Sequence, residues 1–345
     1  MAAPEIPLIS LSRSTPEEVL DALSTIGFIH LELDGTGITQ NDIDRSFELS
    51  SLIYSVPSEE RINCLKDAKG NGYYGLKGTL DERNPSQTDL KENFGWGRFR
   101  TSDGECETTQ PLPPSVERYR EEIIAFDNKC FEASLRVLDI LSRAFDLPEN
   151  FFRSTHKDAG SNGLAFLNYP ALQRPPTGDD IRAGSHKVTR KISSSLRSIP
   201  NETWQWGDIT LLFQEQNGQP GLQVYLPTQD AKKQKGMQLI QGDVDLTSGT
   251  WIFAPIVPNT ILVNVGLTLE AMTDGLCKAN VHRVIFPKAA ENELPKNRKT
   301  IAYFSTPSHD VIMNPVKPGG SIVEQEGAIS VGEFFHERMR LAQPE

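Results

Sequence analysis

The chain has 345 residues, of which 23% are charged and 37% hydrophobic, and its formal net charge is −11. This composition is ordinary for a globular protein, and the acidic balance argues against nucleic acid or an anionic membrane surface as the main partner. The four cysteines are widely spaced without a Cys-x-x-Cys pair, which favours reduced thiols over a disulfide framework. Neither a signal-peptide pattern nor a membrane-spanning run is recognisable. We therefore expect a cytoplasmic protein, and a monomer.

The N-terminal third alternates short apolar runs with capped helices. Thr15 and Glu18 have the spacing of a capping box, with a proline in the first helical position. His30 lies in an apolar strand and is interpreted as a structural residue, because no carboxylate is spaced to join it in a metal site. Strands are predicted at 6–11 and 27–31, and helices over 16–24, from Thr39 and from Pro57.

A long helix is predicted from the two prolines at 113–114 to about Phe145. Its apolar residues recur at three- and four-residue steps, which predicts a face packed against a sheet. They are Val116, Tyr119, Ile123, Phe126, Cys130, Ala133, Val137 and Leu141.

From residue 164 onward the pattern changes to short β segments separated by turns. Many short strands at this spacing favour a sandwich or jelly roll over a doubly wound sheet. No Gly-x-Gly-x-x-Gly follows a strand, so a dinucleotide site is unsupported. Strands are predicted at 164–169, 181–186, 209–214, 222–226, 238–240, 250–254, 261–265, 281–286 and 300–305, and a last helix over 331–341.

Two segments near the middle of the chain look like the halves of one metal-binding motif. Residues 182–186 are Arg-Ala-Gly-Ser-His, and residues 206–214 are Trp-Gly-Asp-Ile-Thr-Leu-Leu-Phe-Gln. Together they resemble the His-Thr-Asp-aromatic-Gly-x-Ile/Leu-Thr-Leu-Leu motif of the 2-oxoglutarate- and iron(II)-dependent dioxygenases of the isopenicillin N synthase type. The His and Asp of that motif lie two residues apart on a strand and therefore share a face, where a distant second His completes the metal site.

The other motifs of this family occur in order along the chain. His282, within Asn-Val-His-Arg-Val-Ile, matches the second iron histidine. Arg298 and Thr300 match the Arg-x-Ser/Thr pair that holds the far carboxylate of 2-oxoglutarate. Such a pair suits the role, because a guanidinium offers a bidentate fork and a hydroxyl two residues along shares its face. Asn168 and Tyr169 match an upstream Asn-Tyr whose phenol can reach the same carboxylate. Each of these residues has an alternative interpretation. His282 is then a half-buried strand histidine, Arg298 is a solvated surface arginine, and Tyr169 is a buried tyrosine whose hydroxyl only forms a structural hydrogen bond.

The resemblance covers about residues 5–310 and implies a fold that is mainly β with flanking helices (α+β), with a double-stranded β-helix (jelly roll) core. It implies an N-terminal helical region over 1–160 that packs on the barrel, the jelly-roll domain over 161–310, and a C-terminal tail and helix over 311–345. Residues 89–97, within a polar segment typical of a surface loop, match a short strand at the mouth of the substrate pocket.

The implied activity is oxidation of a small organic molecule, by hydroxylation, desaturation or ring formation, in secondary metabolism. Iron(II), 2-oxoglutarate and O2 are the implied cofactors. His186 and His282 are the implied metal ligands, and Arg298, Thr300, Tyr169 and Asn168 are the implied cosubstrate-binding residues.

The metal motif is interrupted, because residues 187–205 stand where the family has only Thr-Asp. The third, carboxylate ligand is therefore unidentified: Asp208 falls three positions past the ligand site, and Glu202 lies inside the interruption. The segment is either a real loop, which loop-closure entropy tolerates, or a translated intron. We favour the intron, because a loop here displaces a metal ligand. Two further hypotheses are an impaired member that acts as a binding protein and an iron halogenase, in which chloride replaces the carboxylate.

Overall fold

The architecture is taken from a computed structural model of the chain. It describes residues 5–65, 71–75, 91–99, 110–156, 162–172, 182–186, 207–226, 249–286 and 294–342, with the backbone alone at 183–186 and 339–342. The interruption at 187–205 and the strand predicted at 238–240 lie outside these residues.

The described residues contain fourteen strands, ten of which lie after residue 162. They are β1 (Leu8–Ile9), β2 (Phe28–Glu32), β3 (Gly72–Tyr74), β4 (Glu92–Gly97), β5 (Gly163–Tyr169), β6 (Ala183–His186), β7 (Ile209–Gln214), β8 (Leu222–Leu226), β9 (Thr250–Phe253), β10 (Thr260–Val265), β11 (His282–Val284), β12 (Arg298–Ser305), β13 (Val316–Lys317) and β14 (Ser321–Ile322). Each predicted β segment that lies within the described residues contains a strand, and the bounds of β7 and β8 are as predicted.

The strands form two main sheets. The large sheet has the order β1-β2-β10-β7-β12-β5-β4-β3, and the small sheet has the order β6-β11-β8-β9. Among the described strands from β5 to β12, the chain passes back and forth between the sheets, and only β8 and β9 follow one another in the same sheet. The protein is thus sheet-rich with flanking helices, as the sequence predicts.

The two faces of the large sheet bury different sets of side chains. Ile261, Ile301 and Tyr303 belong to the extensive core shared with the helices. Alternate residues on the same strands, such as Leu262 and Ala302, instead pack with residues of the small sheet. The space between the two sheets is called the interior below. Side chains two residues apart on a strand share a face, so residue parity decides which groups reach it.

Six helices in the described ranges flank the sheets. They are α1 (Pro16–Thr25), α2 (Gln40–Ser55), α3 (Ser58–Ile62), α4 (Arg120–Ala144), α5 (Leu267–Met272) and α6 (Val331–Ala342). The predicted capping box of α1 is present: the Glu18 amide donates to Thr15 Oγ1 at 3.3 Å, and the Thr15 amide donates to Glu18 Oε2 at 2.9 Å. The long helix starts later than predicted, because residues 117–119 form a separate 3-10 turn. Its apolar stripe is buried from Ile123 to Leu141 as predicted, whereas Tyr119 in the 3-10 turn is only half-buried.

The N-terminal region is more than a layer of helices. β1 to β4 all lie before residue 160, and all four are strands of the large sheet. β2 pairs with β10, and β4 pairs with β5, so both ends of the sheet depend on this region. None of the described helices is both long and apolar enough to cross a membrane.

His30 lies on the interior face of β2 and is only 3% exposed. Its Nδ1 is 3.5 Å from Thr260 Oγ1, and its Nε2 has no hydrogen-bond partner in the described structure. Burial lowers the pKa of His30 to about 4. These contacts agree with a structural histidine.

Replacing His30 by Phe is expected to reduce the loss of stability in acid. The folded-state pKa lies below that of the unfolded chain, about 6.5, so the unfolding free energy falls as pH drops from about 6.5 to about 4. At ~1.4 kcal/mol per pKa unit, the loss amounts to ~3 kcal/mol. Urea unfolding at several pH values measures this slope. The exposed His336→Phe should keep the wild-type slope; an unchanged slope in His30→Phe contradicts the assignment.

Candidate functional site

Two histidines from distant parts of the sequence occupy facing positions in the small sheet. In the antiparallel pairing of β6 with β11, His186 is the direct partner of His282. Positions directly opposite each other share a face of the sheet, with Cβ atoms ~5 Å apart. A register shift follows between His282 and Val284, where the pairing with Ala183 resumes. The backbone therefore brings together the two predicted metal ligands.

The His282 ring is held in an orientation suited to metal binding. Its Nδ1 lies 3.2 Å from the backbone oxygen of Asn280, which can only accept, so the proton of the neutral ring is on Nδ1. Phe28 packs edge-on against the ring with centroids 5.5 Å apart. Burial lowers the pKa of His282, while the bond to Asn280 opposes this shift. A neutral imidazole with its lone pair on Nε2 is the form that binds a metal ion.

Asp208, the nearest acid downstream of His186, contacts a different histidine, His156. Its Oδ2 lies 2.9 Å from His156 Nε2 in a fully buried pair, and its Oδ1 accepts from the Ile209 amide at 2.7 Å. Ser305 Oγ is 3.2 Å from the same His156 nitrogen. Sequence motifs did not reveal this pair, because His156 lies outside every motif of the family.

The described side chains fit only part of an iron site. Within the described ranges, no group of three His, Cys, Asp or Glu side chains is placed to hold a metal ion. The side chain of His186, residue Glu202 and the whole interruption fall outside that search. Two histidine positions fit the metal, and a carboxylate ligand is not found among the described side chains.

Asp208→Asn is expected to destabilise the fold rather than to remove a metal ligand. The substitution replaces the carboxylate beside the buried His156 by a neutral amide, and weakening the partner of a buried polar group costs about 1–3 kcal/mol. Chemical unfolding of the variant measures the loss, and the exposed Asp21→Asn is the matched control. A variant with unchanged stability but weakened iron binding would assign Asp208 to the metal.

A buried arginine stands on the interior face of β12. Arg298 pairs with Tyr169 of β5, and its guanidinium carbon lies 5.0 Å from the centre of the tyrosine ring. Arg298 is 2% exposed, and its Nη1 has no hydrogen-bond partner among the described residues. Thr300 is also buried and lies two residues along the same strand, on the same face. Burial lowers the pKa of Arg298, and Tyr169 opposes this shift. A buried cation with an unused donor is suited to bind an anion.

The structure does not place Asn168 beside Tyr169 in this site. The Asn168 side chain lies on the opposite face of β5, where Nδ2 donates to Glu92 Oε1 at 2.7 Å. The hydroxyl of Tyr73 donates to the other oxygen of Glu92 at 2.5 Å. Adjacent strand residues point to opposite faces, so Asn168 and Tyr169 cannot both face the interior. Asn168 instead helps to attach β4 to β5, which corrects its expected place in the cosubstrate site.

Two family models match the chain. The model of the non-haem dioxygenase N-terminal region matches residues 6–115, and that of the 2OG-Fe(II) oxygenase superfamily matches residues 201–307. The second match begins inside the interruption at 187–205, so His186 lies outside it, whereas His282, Arg298 and Thr300 lie within it. The chain belongs to the 2OG-Fe(II) oxygenase superfamily, a family of enzymes that use iron(II), 2-oxoglutarate and O2.

Relatives match over almost the whole chain. The UPF0676 protein C1494.01 of Schizosaccharomyces pombe is 29% identical, over 98% of this chain and 93% of the relative. The proline hydroxylase buaE of Petromyces alliaceus is 26% identical, over 84% of this chain and 80% of the relative. The crystal structure of a full-length Neurospora crassa protein in complex with alpha-KG has the same fold, with a TM-score of 0.74 at 24% identity, covering 98% of this chain and 96% of that chain.

Proposed function

We propose that this protein oxidises a small organic molecule, with iron(II) held by His186 and His282 and the far carboxylate of 2-oxoglutarate held by Arg298, Thr300 and Tyr169. The reaction is a hydroxylation, desaturation or ring formation. Bound iron(II) would supply the activation of O2 that such an oxidation needs. The residues of the chain position the reactants around it.

The observation that carries the proposal is the register of β6 and β11. In that register His186 is the direct backbone partner of His282. That register depends on pairing between segments far apart in sequence, so it supports the metal assignment independently of the motif. The neutral, Asn280-bound ring of His282 supports it further.

The cosubstrate assignment is supported by the side chains of the interior, where apolar residues surround a few polar ones. Ala302, Leu262 and Val224 line it, and Arg298 and Thr300 interrupt it on one strand. In such surroundings a carboxylate gains most from a bidentate, charge-assisted contact. We assign the two facing sheets to a jelly roll, with the ligands between them.

The substrate class is proposed from the relatives. Solved neighbours include the same Neurospora crassa protein in complex with thymine, and JOX2 in complex with 2OG, Fe and JA. Curated relatives include a fungal proline hydroxylase. These names support a small organic substrate, and the fungal relatives support a role in secondary metabolism. They give no support to the hypothesis of an inactive binding protein.

Anaerobic titration of iron(II), followed by measurement of succinate formed from 2-oxoglutarate, tests the proposal. We expect iron binding to be lost in His282→Ala. The matched control is Asn280→Ala, which keeps the backbone oxygen that orients the ring and should retain binding. Equal iron binding by the wild type and His282→Ala would overturn the metal assignment.

A further inference from the structure

A second arginine, Arg182, is buried close to the proposed cosubstrate site. It precedes β6, and its backbone amide donates to the Val284 oxygen at 3.1 Å, which attaches it to the small sheet. Its side chain is 0% exposed. The guanidinium carbon lies over the Phe286 ring, 4.6 Å from its centroid.

The hydrogen bonds of Arg182 leave its charge uncompensated. Nη2 donates to Gln219 Oε1 and to the Lys296 backbone oxygen, both at 2.6 Å. Both acceptors are neutral. Nε and Nη1 have no hydrogen-bond partner in the described part of the chain, and no described carboxylate forms an ion pair with this arginine. A fully buried guanidinium with two unused donors is costly unless an anion binds it.

Arg182 lies near the start of β12, the strand that carries Arg298. The Lys296 oxygen that Arg182 contacts is two residues before Arg298 on the chain. Burial, and then the charge of Arg298, lower the pKa of Arg182 to about 10, whereas Tyr169 opposes the shift. Like charges brought together in a poorly solvated space repel each other, and a ligand carboxylate between them removes the repulsion.

We propose that Arg182 is a second cation of the cosubstrate site, which acts with Arg298 on the far carboxylate of 2-oxoglutarate and makes the site selective for dicarboxylic 2-oxo acids. This inference rests on the proposed function, because it assumes that 2-oxoglutarate binds at Arg298. Arg182 is a specificity residue and takes no part in the oxidation. If Arg182 had only a structural role, it would do no more than connect Gln219, Phe286 and Lys296, and it would not affect which ligand binds.

The test compares two ligands of the same chain length. 2-Oxoglutarate has the far carboxylate, and 2-oxopentanoate lacks it. Affinities are measured anaerobically by calorimetry with saturating iron(II), for the wild type and for Arg182→Met, which keeps the aliphatic stem. We expect the 2-oxoglutarate affinity to fall by about tenfold or more, as for loss of a hydrogen bond to a charged group, with little change for 2-oxopentanoate. Arg182→Lys should retain part of the selectivity.

Arg283→Met is the matched control. Arg283 lies on the same sheet, donates to Gln223 Oε1 at 2.9 Å and stacks on Trp251 at 4.0 Å, but its position on β11 alternates with the interior-facing residues. We expect it to leave the affinity ratio unchanged. Equal weakening of both ligands in Arg182→Met would show a structural role and overturn the inference. If Arg298→Ala weakens 2-oxoglutarate binding and Arg182→Met does not, only this inference fails. If neither does, the proposed cosubstrate site fails as well.

Discussion

Replacing residues 187–205 by Thr-Asp is expected to raise the affinity for iron(II) by more than a hundredfold and to increase 2-oxoglutarate turnover. The replacement puts a carboxylate two residues after His186, on the same strand face, with Trp206-Gly207 following in the register of the family motif. Loss of an outer-shell partner of a metal ligand already costs ~10–100-fold in affinity, and loss of a ligand should cost more. Iron stoichiometry and affinity under anaerobic conditions measure the change.

The matched control for this exchange is replacement of the same residues by Thr-Asn. It shortens the chain identically and differs only in the charge of one side chain, so it separates the carboxylate from the effect of removing the segment. We expect Thr-Asn to bind iron much more weakly than Thr-Asp. If the natural chain already binds one iron tightly and consumes 2-oxoglutarate, residues 187–205 supply a ligand themselves and the intron interpretation is wrong.

Arg298→Ala is expected to weaken 2-oxoglutarate binding by about 100-fold or more while the fold is retained. A hydrogen bond to a charged group is worth ~1.5–3 kcal/mol, and a bidentate contact provides two of them. Stability should not fall sharply, because the substitution also removes a buried cation that no described carboxylate compensates. Calorimetric titration of 2-oxoglutarate into the iron-loaded variant measures the effect.

Lys299→Ala is the control on the same strand. Lys299 points to the opposite face, where its Nζ donates to Ser51 Oγ at 2.8 Å. We expect its 2-oxoglutarate affinity to equal that of the wild type. Unchanged affinity in Arg298→Ala would show that the anchor of the far carboxylate lies elsewhere.

Local patterns in the sequence were sufficient for most individual elements. The capping box at Thr15, the apolar stripe of α4 and the short apolar runs of β7 and β8 each reflect interactions within a few residues. Where a pattern failed, the cause was also local. The prolines at 113–114 precede a separate 3-10 turn, and α4 begins only at Arg120.

Motif order identified the candidate ligands but not all of their surroundings. His186, His282 and Arg298 are recognisable because their neighbours in sequence match the family. Asn168 was misplaced because the motif does not state which face of β5 each residue takes. His156 had no sequence signal at all, since its partner Asp208 is far away in the chain and meets it only in the folded core.

The sequence by itself therefore determined the class of enzyme, the type of most elements and the interruption of the metal motif, because these depend on residue order and short-range periodicity. The tertiary structure alone decided that His186 is the strand partner of His282, that Asp208 contacts His156, and that Arg182 contacts the chain just before Arg298. Those relations depend on strand register and on packing between the two sheets. Both are set by contacts between residues distant in sequence, which no local pattern encodes.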